Sequence, residues 1–147
     1  VSRQTFYYHF HDLTAVLEWL VHNRTQAILN QALAKENYQA GLRHFLFQVE
    51  AVSLHIKKLL HSDRRDEVEK LLFVSINELV RAIFQEQKLE QQLANQMSEF
   101  DFRVNFCSYG IVGTLLHYLN SDSYTLDTIE DIFNEIMIIL NQVLKVK

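Results

Sequence analysis

The chain contains no proline, only three glycines and a single cysteine among its 147 residues. So little turn punctuation is hard to reconcile with a β-sandwich, a barrel or a collagen-like rod. The Gly-rich loops with which α/β folds cradle phosphates are missing too. Cys107 by itself cannot close an intrachain disulfide, which fits a reducing interior and excludes a disulfide scaffold. No apolar run reaches the ~18 residues of a membrane span, and the first residues do not read as a signal peptide. The formal net charge is −4, so no overall basic field draws the chain onto nucleic acid. What is present, 48% hydrophobic and 22% charged residues, is the balance of an ordinary globular protein. The expectation is a soluble, intracellular, all-α protein.

Apolar spacing supplies the helices. Leu13, Val16, Leu17, Leu20 and Val21 recur at three and four, and Ile28, Leu29, Ala32 and Leu33 continue them, predicting a helix over 12–35. Asp12 stands where its carboxylate would accept from a first-turn amide. After a break at 36–41, Leu42, Phe45, Val49, Val52, Ile56 and Leu59 predict one continuous helix. The polar stretch 61–66 separates it from Val68, Leu71, Leu72, Ile76, Leu79, Val80 and Ile83. Residues 85–99 are Gln-rich and read as an exposed helix or helix-loop.

Two C-terminal helices carry more apolar surface than one small core can take. Between about 100 and 119, Phe102, Val104, Phe106, Tyr109, Ile111, Val112, Leu115, Leu116 and Leu119 point to several sides of one helix. Gly110 and Gly113 lie on neighbouring positions and would let another backbone approach. Beyond the loop at 120–123, Leu126, Ile129, Phe133, Ile136, Leu140 and Val143 form a heptad-like seam. Burial in a partner subunit is the natural solution. The expected interface is Gly110, Gly113, Leu116, Ile129, Phe133, Ile136 and Leu140.

The first ten residues differ in character. On a short helix, Phe6 and Phe10 form an apolar edge one turn apart, while Gln4, Tyr7, Tyr8 and His11 carry hydrogen-bonding groups to other sides. Such a helix suits a major groove, or a terminal helix packed on the body of the protein.

The stretch Val1-Ser2-Arg3-Gln4-Thr5-Phe6-Tyr7-Tyr8-His9-Phe10, followed by Asp12 and Leu17, resembles the recognition helix of tetracycline-repressor (TetR) family regulators and the start of the next helix. At the other end, GIVGTLLHYLNSDSYTLDTIEDIF resembles that family's two dimerisation helices. The resemblance implies a TetR-like all-α fold, in which a remnant of a helix-turn-helix domain (residues 1–20) precedes a helical effector-binding and dimerisation domain (21–147). Two further helices of the DNA-binding domain would lie upstream. It further implies a homodimeric DNA-binding regulator, not an enzyme, working in the cytoplasm under a small-molecule effector, with no cofactor and no membrane partner. By the family's pattern, Arg3, Gln4 and Tyr7 fall where base edges are touched, and Thr5, Tyr8 and His9 where phosphates are. Where the family commonly has Lys at the start of the following helix, this chain has Leu13. The string SRQTFYYHFHDLTAVLEW is similar to a branch that includes regulators of dihydroxyacetone-kinase operons. That implies an alternative, a helical dimer whose main partner is a protein co-regulator.

Other chemistry is thin. The seven histidines form no HExxH pattern, and His9 and His11 point apart on a helix, so no metal site is expected. Cys107 and His117 are ten residues apart on one helix, roughly 15 Å along its axis, too far for a catalytic pair. Aromatic residues of the helical region are either core or, as the resemblance implies, lining for an effector. On that second reading His55, Phe102, Phe106 and Tyr109 surround a pocket. The C-terminal seam further predicts that glutamate at Ile136 and Leu140 yields a monomer or an aggregate in sedimentation.

Overall fold

Two short polar side chains, Asn37 and Ser62, organise a helix start and a turn. In a computed structural model of the chain, the residues described are Gln4, 13–34, 37–87, 97–121 and 129–145. They form six helices: α1 (Leu13–Ala34), α2 (Tyr38–Ala51), α3 (Ser53–Leu60), α4 (Arg65–Glu86), α5 (Met97–Asn120) and α6 (Ile129–Leu144). No strand occurs among the described residues. The Asn37 side chain accepts from the Ala40 amide at 3.1 Å and caps α2, satisfying a first-turn donor that the helix itself cannot. Between α3 and α4, the Ser62 hydroxyl donates to the Leu59 carbonyl at 2.6 Å and accepts from the Arg64 amide at 3.1 Å. Asp66 and Glu67 follow in the first turn of α4, where carboxylates oppose the positive end of the helix dipole.

The continuous helix expected over Leu42–Leu59 is two helices. At Val52 the backbone leaves helical geometry, with φ −110° and ψ 18°, and its amide donates to the Val49 carbonyl at 3.2 Å. That tightened i−3 turn redirects α3 while Val49 and Ile56 stay buried on either side of it. Apolar spacing does not register such a bend, because both pieces face the same core.

That core is built around α4. Its Val68, Leu72, Ile76, Leu79, Val80, Ile83 and Phe84 are all at most 1% exposed, and α1, α2, α3 and α5 all pack on it. Phe45, Leu42 and Leu46 from α2, Leu59 from α3 and Phe100 and Val104 from α5 complete a continuous buried cluster.

Antiparallel α4 and α5 are held in register by a ladder one turn apart. Phe73 stacks on Tyr109 with ring centroids 4.2 Å apart. Asn77 Nδ2 donates to Asn105 Oδ1 at 2.9 Å and to the buried Ser108 Oγ at 3.2 Å. Arg81 donates to Asp101 at 2.9 Å. The Ser108 hydroxyl in turn donates to the Val104 carbonyl at 2.7 Å, so the buried polar group is satisfied.

α6 is pinned at both ends. Arg43 of α2 grips the Glu130 carboxylate with Nη2 at 2.6 Å and Nε at 3.0 Å, and its guanidinium lies 4.4 Å from the centre of the Phe47 ring. At the other end, Arg103 of α5 donates to the Val143 carbonyl at 3.1 Å and to Glu99 at 2.6 Å. Between the clamps, Ile129, Ile132, Ile136 and Leu140 are buried. Phe84→Ala should therefore lower stability by about 3–5 kcal/mol, and Arg43→Ala, which breaks a half-exposed pair, by no more than ~1 kcal/mol. Denaturant unfolding of the two variants checks both figures.

Candidate functional site

The α4–α5 ladder decides which way α5 turns. With Asn105 and Ser108 held against Asn77, the side chains of Val104, Cys107, Ile111, Val112, Leu115 and Leu119 go inward. Phe102, Phe106 and Tyr109 are left 66%, 68% and 65% exposed. Phe102 and Phe106, one turn apart, stack on each other at 5.9 Å. Gly110 and Gly113 are exposed on the same side of the helix. A Cβ built at either meets nothing within 4 Å. Glycine in a helix interior costs about 1 kcal/mol relative to alanine, and nothing among the described residues requires it at these two positions.

Beside this ridge, α6 turns Ile138 and Ile139 outward, 55% and 59% exposed. A groove of about 240 Å³ runs between the two helices, lined by Phe106, Cys107, Gly110, Ile111, Thr114, Ile136, Ile139, Leu140 and Val143. The Thr114 hydroxyl is spent on the Gly110 carbonyl at 2.8 Å, which leaves the groove apolar. On the opposite flank of α5, a shallower groove of about 390 Å³ is bounded by Phe73, Tyr109, Val112, Gly113 and Leu116, with Asp66, Glu69 and Lys70 at its α4 edge. A third cleft, about 290 Å³, separates α1 from α4. Leu29, Val68, Leu71 and Val74 form its apolar wall, and His22, Gln26, Lys70, Ser75 and Glu78 its polar one.

This geometry places two sets of expected residues. Phe102, Phe106 and Tyr109 do not surround a pocket with His55. They lie on the outer face of α5, and His55 is exposed on α3. Aromatic content does not distinguish a pocket wall from a surface ridge; only the register of α5 on α4 does. The expected interface is likewise divided. Gly110 and Gly113 are on the outer face and Leu116 and Phe133 are half-buried, but Ile129, Ile136 and Leu140 are filled from within, against the protomer's own core. The heptad-like seam marks an apolar stripe without saying whose helix covers it. Ile138 and Ile139, which widen that seam but stand outside the expected interface, are the residues turned outward in the unbroken Ile136-Met137-Ile138-Ile139-Leu140 run.

Cys107 lies at the base of the α5–α6 groove, 7% exposed. Burial pushes its thiol above the usual range, and the nearby Arg103 guanidinium opposes the rise only in part. A thiol so raised stays protonated at neutral pH and is a poor nucleophile. Among the described residues no three His, Cys, Asp or Glu side chains come together as a metal site would need. Nor is any described helix long and apolar enough to cross a membrane.

The helical bundle from α2 to α6 coincides with a known family. The family model described as the transcriptional regulator C-terminal region of TetR proteins matches residues 36–142. The chain belongs to the TetR family of transcriptional regulators. No curated protein and no solved structure matches it significantly. TetR-family membership makes the protein a transcriptional regulator and not an enzyme. The matched region begins where α1 ends, and α1 runs unbroken through residue 20. Arg3, Thr5, Tyr7, Tyr8 and His9, the residues expected at DNA, lie outside the described residues, whereas Gln4 is described and exposed.

The division of α6 into inward and outward residues gives a direct test. Ile136→Glu puts a carboxylate into the core and should abolish cooperative thermal unfolding. Ile139→Glu should leave the helical circular-dichroism signal and cooperative unfolding intact.

Proposed function

We propose that this TetR-family regulator is a homodimeric DNA-binding protein that reads its operator with the segment preceding α1 and is controlled by a small-molecule effector. The observation that carries the reading is the junction of two features in one chain. Residues 36–142 match the family's regulatory region, and α1 joins that region to a segment with the residue pattern of a recognition helix. On this reading Arg3, Gln4 and Tyr7 contact base edges, and Thr5, Tyr8 and His9 contact phosphates and set the register. Two such segments in a dimer must match half-sites about 34–36 Å apart. The outer faces of α5 and α6 bring the two copies together. Work on the chromosome places the protein in the cytoplasm.

The α1–α4 cleft is the effector region that fits this arrangement best. α1 is the only described helix between the regulatory bundle and the DNA-reading segment, so a molecule wedged between α1 and α4 would tilt that segment. The shift it can produce is limited by its differential affinity for the two orientations of α1. The apolar wall of Leu29, Val68, Leu71 and Val74, faced by Lys70, Glu78, His22 and Gln26, suits a compact molecule with an apolar body and a hydrogen-bonding edge.

Fluorescence anisotropy with DNA from the protein's own upstream region, set against random duplex of equal length at the same salt, tests the reading. Preferential binding is expected from the full-length regulator. Tyr7→Ala should weaken the specific complex by ~1–3 kcal/mol while leaving binding to random duplex nearly unchanged. Equal affinity for both duplexes would instead point to a co-regulator acting through another protein. For the cleft, Val74→Trp should fill the space between α1 and α4 without unfolding the protein and should shift operator affinity.

A further inference from the structure

We propose that the α1–α4 cleft holds a primary ammonium group carried on a compact apolar body, with Glu78, Ser75 and Gln26 accepting from its N–H groups. The inference rests on the reading of that cleft as the effector region and goes beyond it to the head group and charge of the ligand. Much of the donor capacity in the cleft is already spent. The Ser75 hydroxyl, 2% exposed, donates to the Leu71 carbonyl at 2.9 Å, so toward the cleft it offers only lone pairs. The Gln26 amide nitrogen donates to Asn30 at 3.3 Å, and its carbonyl oxygen accepts from no donor among the described residues. Glu78 makes neither an ion pair nor a hydrogen bond among them. Ser75 and Glu78 are three residues apart on α4 and share a face, while Gln26 lines the cleft from α1. One carboxylate and two neutral oxygens select a donor, and an ammonium brings three N–H bonds where a hydroxyl brings one.

The charges along α4 place that head group at one end of the cleft. Near its N-terminal end, Glu67 lies 3.7 Å from Arg64 and three residues from Lys70, its neighbour on the helix surface. An anion drawn to Lys70 would therefore meet Glu67 as well. At the other end, Arg81, the nearest cation to Glu78 along α4, is engaged by Asp101 at 2.9 Å. Lys70 is roughly 12 Å from Glu78 along the axis, beyond the ~8 Å over which exposed charges act at physiological salt. His22 offers one donor and one acceptor when neutral and favours neither sign. The apolar body meets Leu29 and Val68, 2% and 1% exposed, together with Leu71 and Val74. A volume of about 290 Å³ lies at the small end of ligand sites and suits one ring on a short amine-bearing chain. Held by Gln26 from α1 and by Glu78 from α4, such a ligand favours whichever tilt of α1 brings those two groups together.

Three probes with one apolar body test the assignment: phenethylamine, hydrocinnamate and phenethyl alcohol, titrated separately into the full-length regulator by ligand-observed NMR. Phenethylamine should bind at least tenfold more tightly than the carboxylate or the alcohol. Glu78→Gln should erase that preference, whereas Glu86→Gln, on the same helix but outside the cleft lining, should preserve it. Val74→Trp, which fills the cleft, should abolish amine binding. Tighter binding of the carboxylate or the alcohol, still lost in Val74→Trp, would overturn the ammonium assignment and leave the cleft standing as the effector region. An amine preference that survives Glu78→Gln would overturn it as well. Amine binding that survives Val74→Trp would remove the cleft and the assignment together. No amine binding at millimolar concentration would overturn the assignment alone, because the response of operator affinity to Val74→Trp tests the cleft without any ligand.

Discussion

The arrangement of this regulator depends on the packing of α5 along α4. α4 buries one face from Val68 to Phe84 and serves as the post on which α1, α2, α3 and α5 lean. Apolar packing alone would let α5 slide or roll on that post, since one methyl-rich stripe resembles another. The Asn77–Asn105–Ser108 hydrogen bonds remove that freedom. A roll that broke them would cost the half-buried Asn77 amide both of these acceptors, and an unpaired polar group out of water is costly. The Phe73–Tyr109 stack and the Arg81–Asp101 pair, one turn to either side, repeat the same register.

From that register the outer face follows. Once Ser108 is inward, Phe106 and Gly110 must be outward, since they lie two residues to either side on a helix. α6 then inherits its position from Arg103 on α5 and Arg43 on α2, which hold its two ends. These pairs are half-exposed and contribute little stability singly. Their role is to orient an amphipathic helix whose buried stripe would tolerate several placements. The result is a ridge and two flanking grooves, with the protonated thiol of Cys107 hidden at the base of one of them.

On the proposed reading, linking this face to DNA requires a rigid element, and α1 supplies one. It runs unbroken through 22 residues and touches α2, α3 and α4 at once. A change in the α1–α4 cleft would therefore be transmitted as a tilt of a rod rather than absorbed in a loop. A packed bundle passes such shifts on because its interior is too dense to deform locally. In this picture the regulatory and pairing functions use opposite sides of α4: the α1 cleft on one, the α5 ridge on the other.

Much of the helix content was legible in the residues themselves. The absence of proline and the three-and-four spacing of Val68, Leu72, Ile76, Leu79 and Ile83 suffice for α4, because a buried helix needs an apolar stripe of that period and nothing else. The pattern Arg3 to Phe10, with the C-terminal helices, sufficed for the TetR family. The bend at Val52 was not legible, since both halves of the broken helix keep their apolar residues toward one core. Nor was the orientation of α5 and α6. Phe102, Phe106, Ile136 and Leu140 are equally apolar on paper, and periodicity counts them alike. Which of them went inside was decided by contacts between residues 28 to 87 positions apart, Asn77 with Asn105 and Arg43 with Glu130. A one-dimensional pattern records what a helix must hide, and only the packed neighbours determine from which side it is covered.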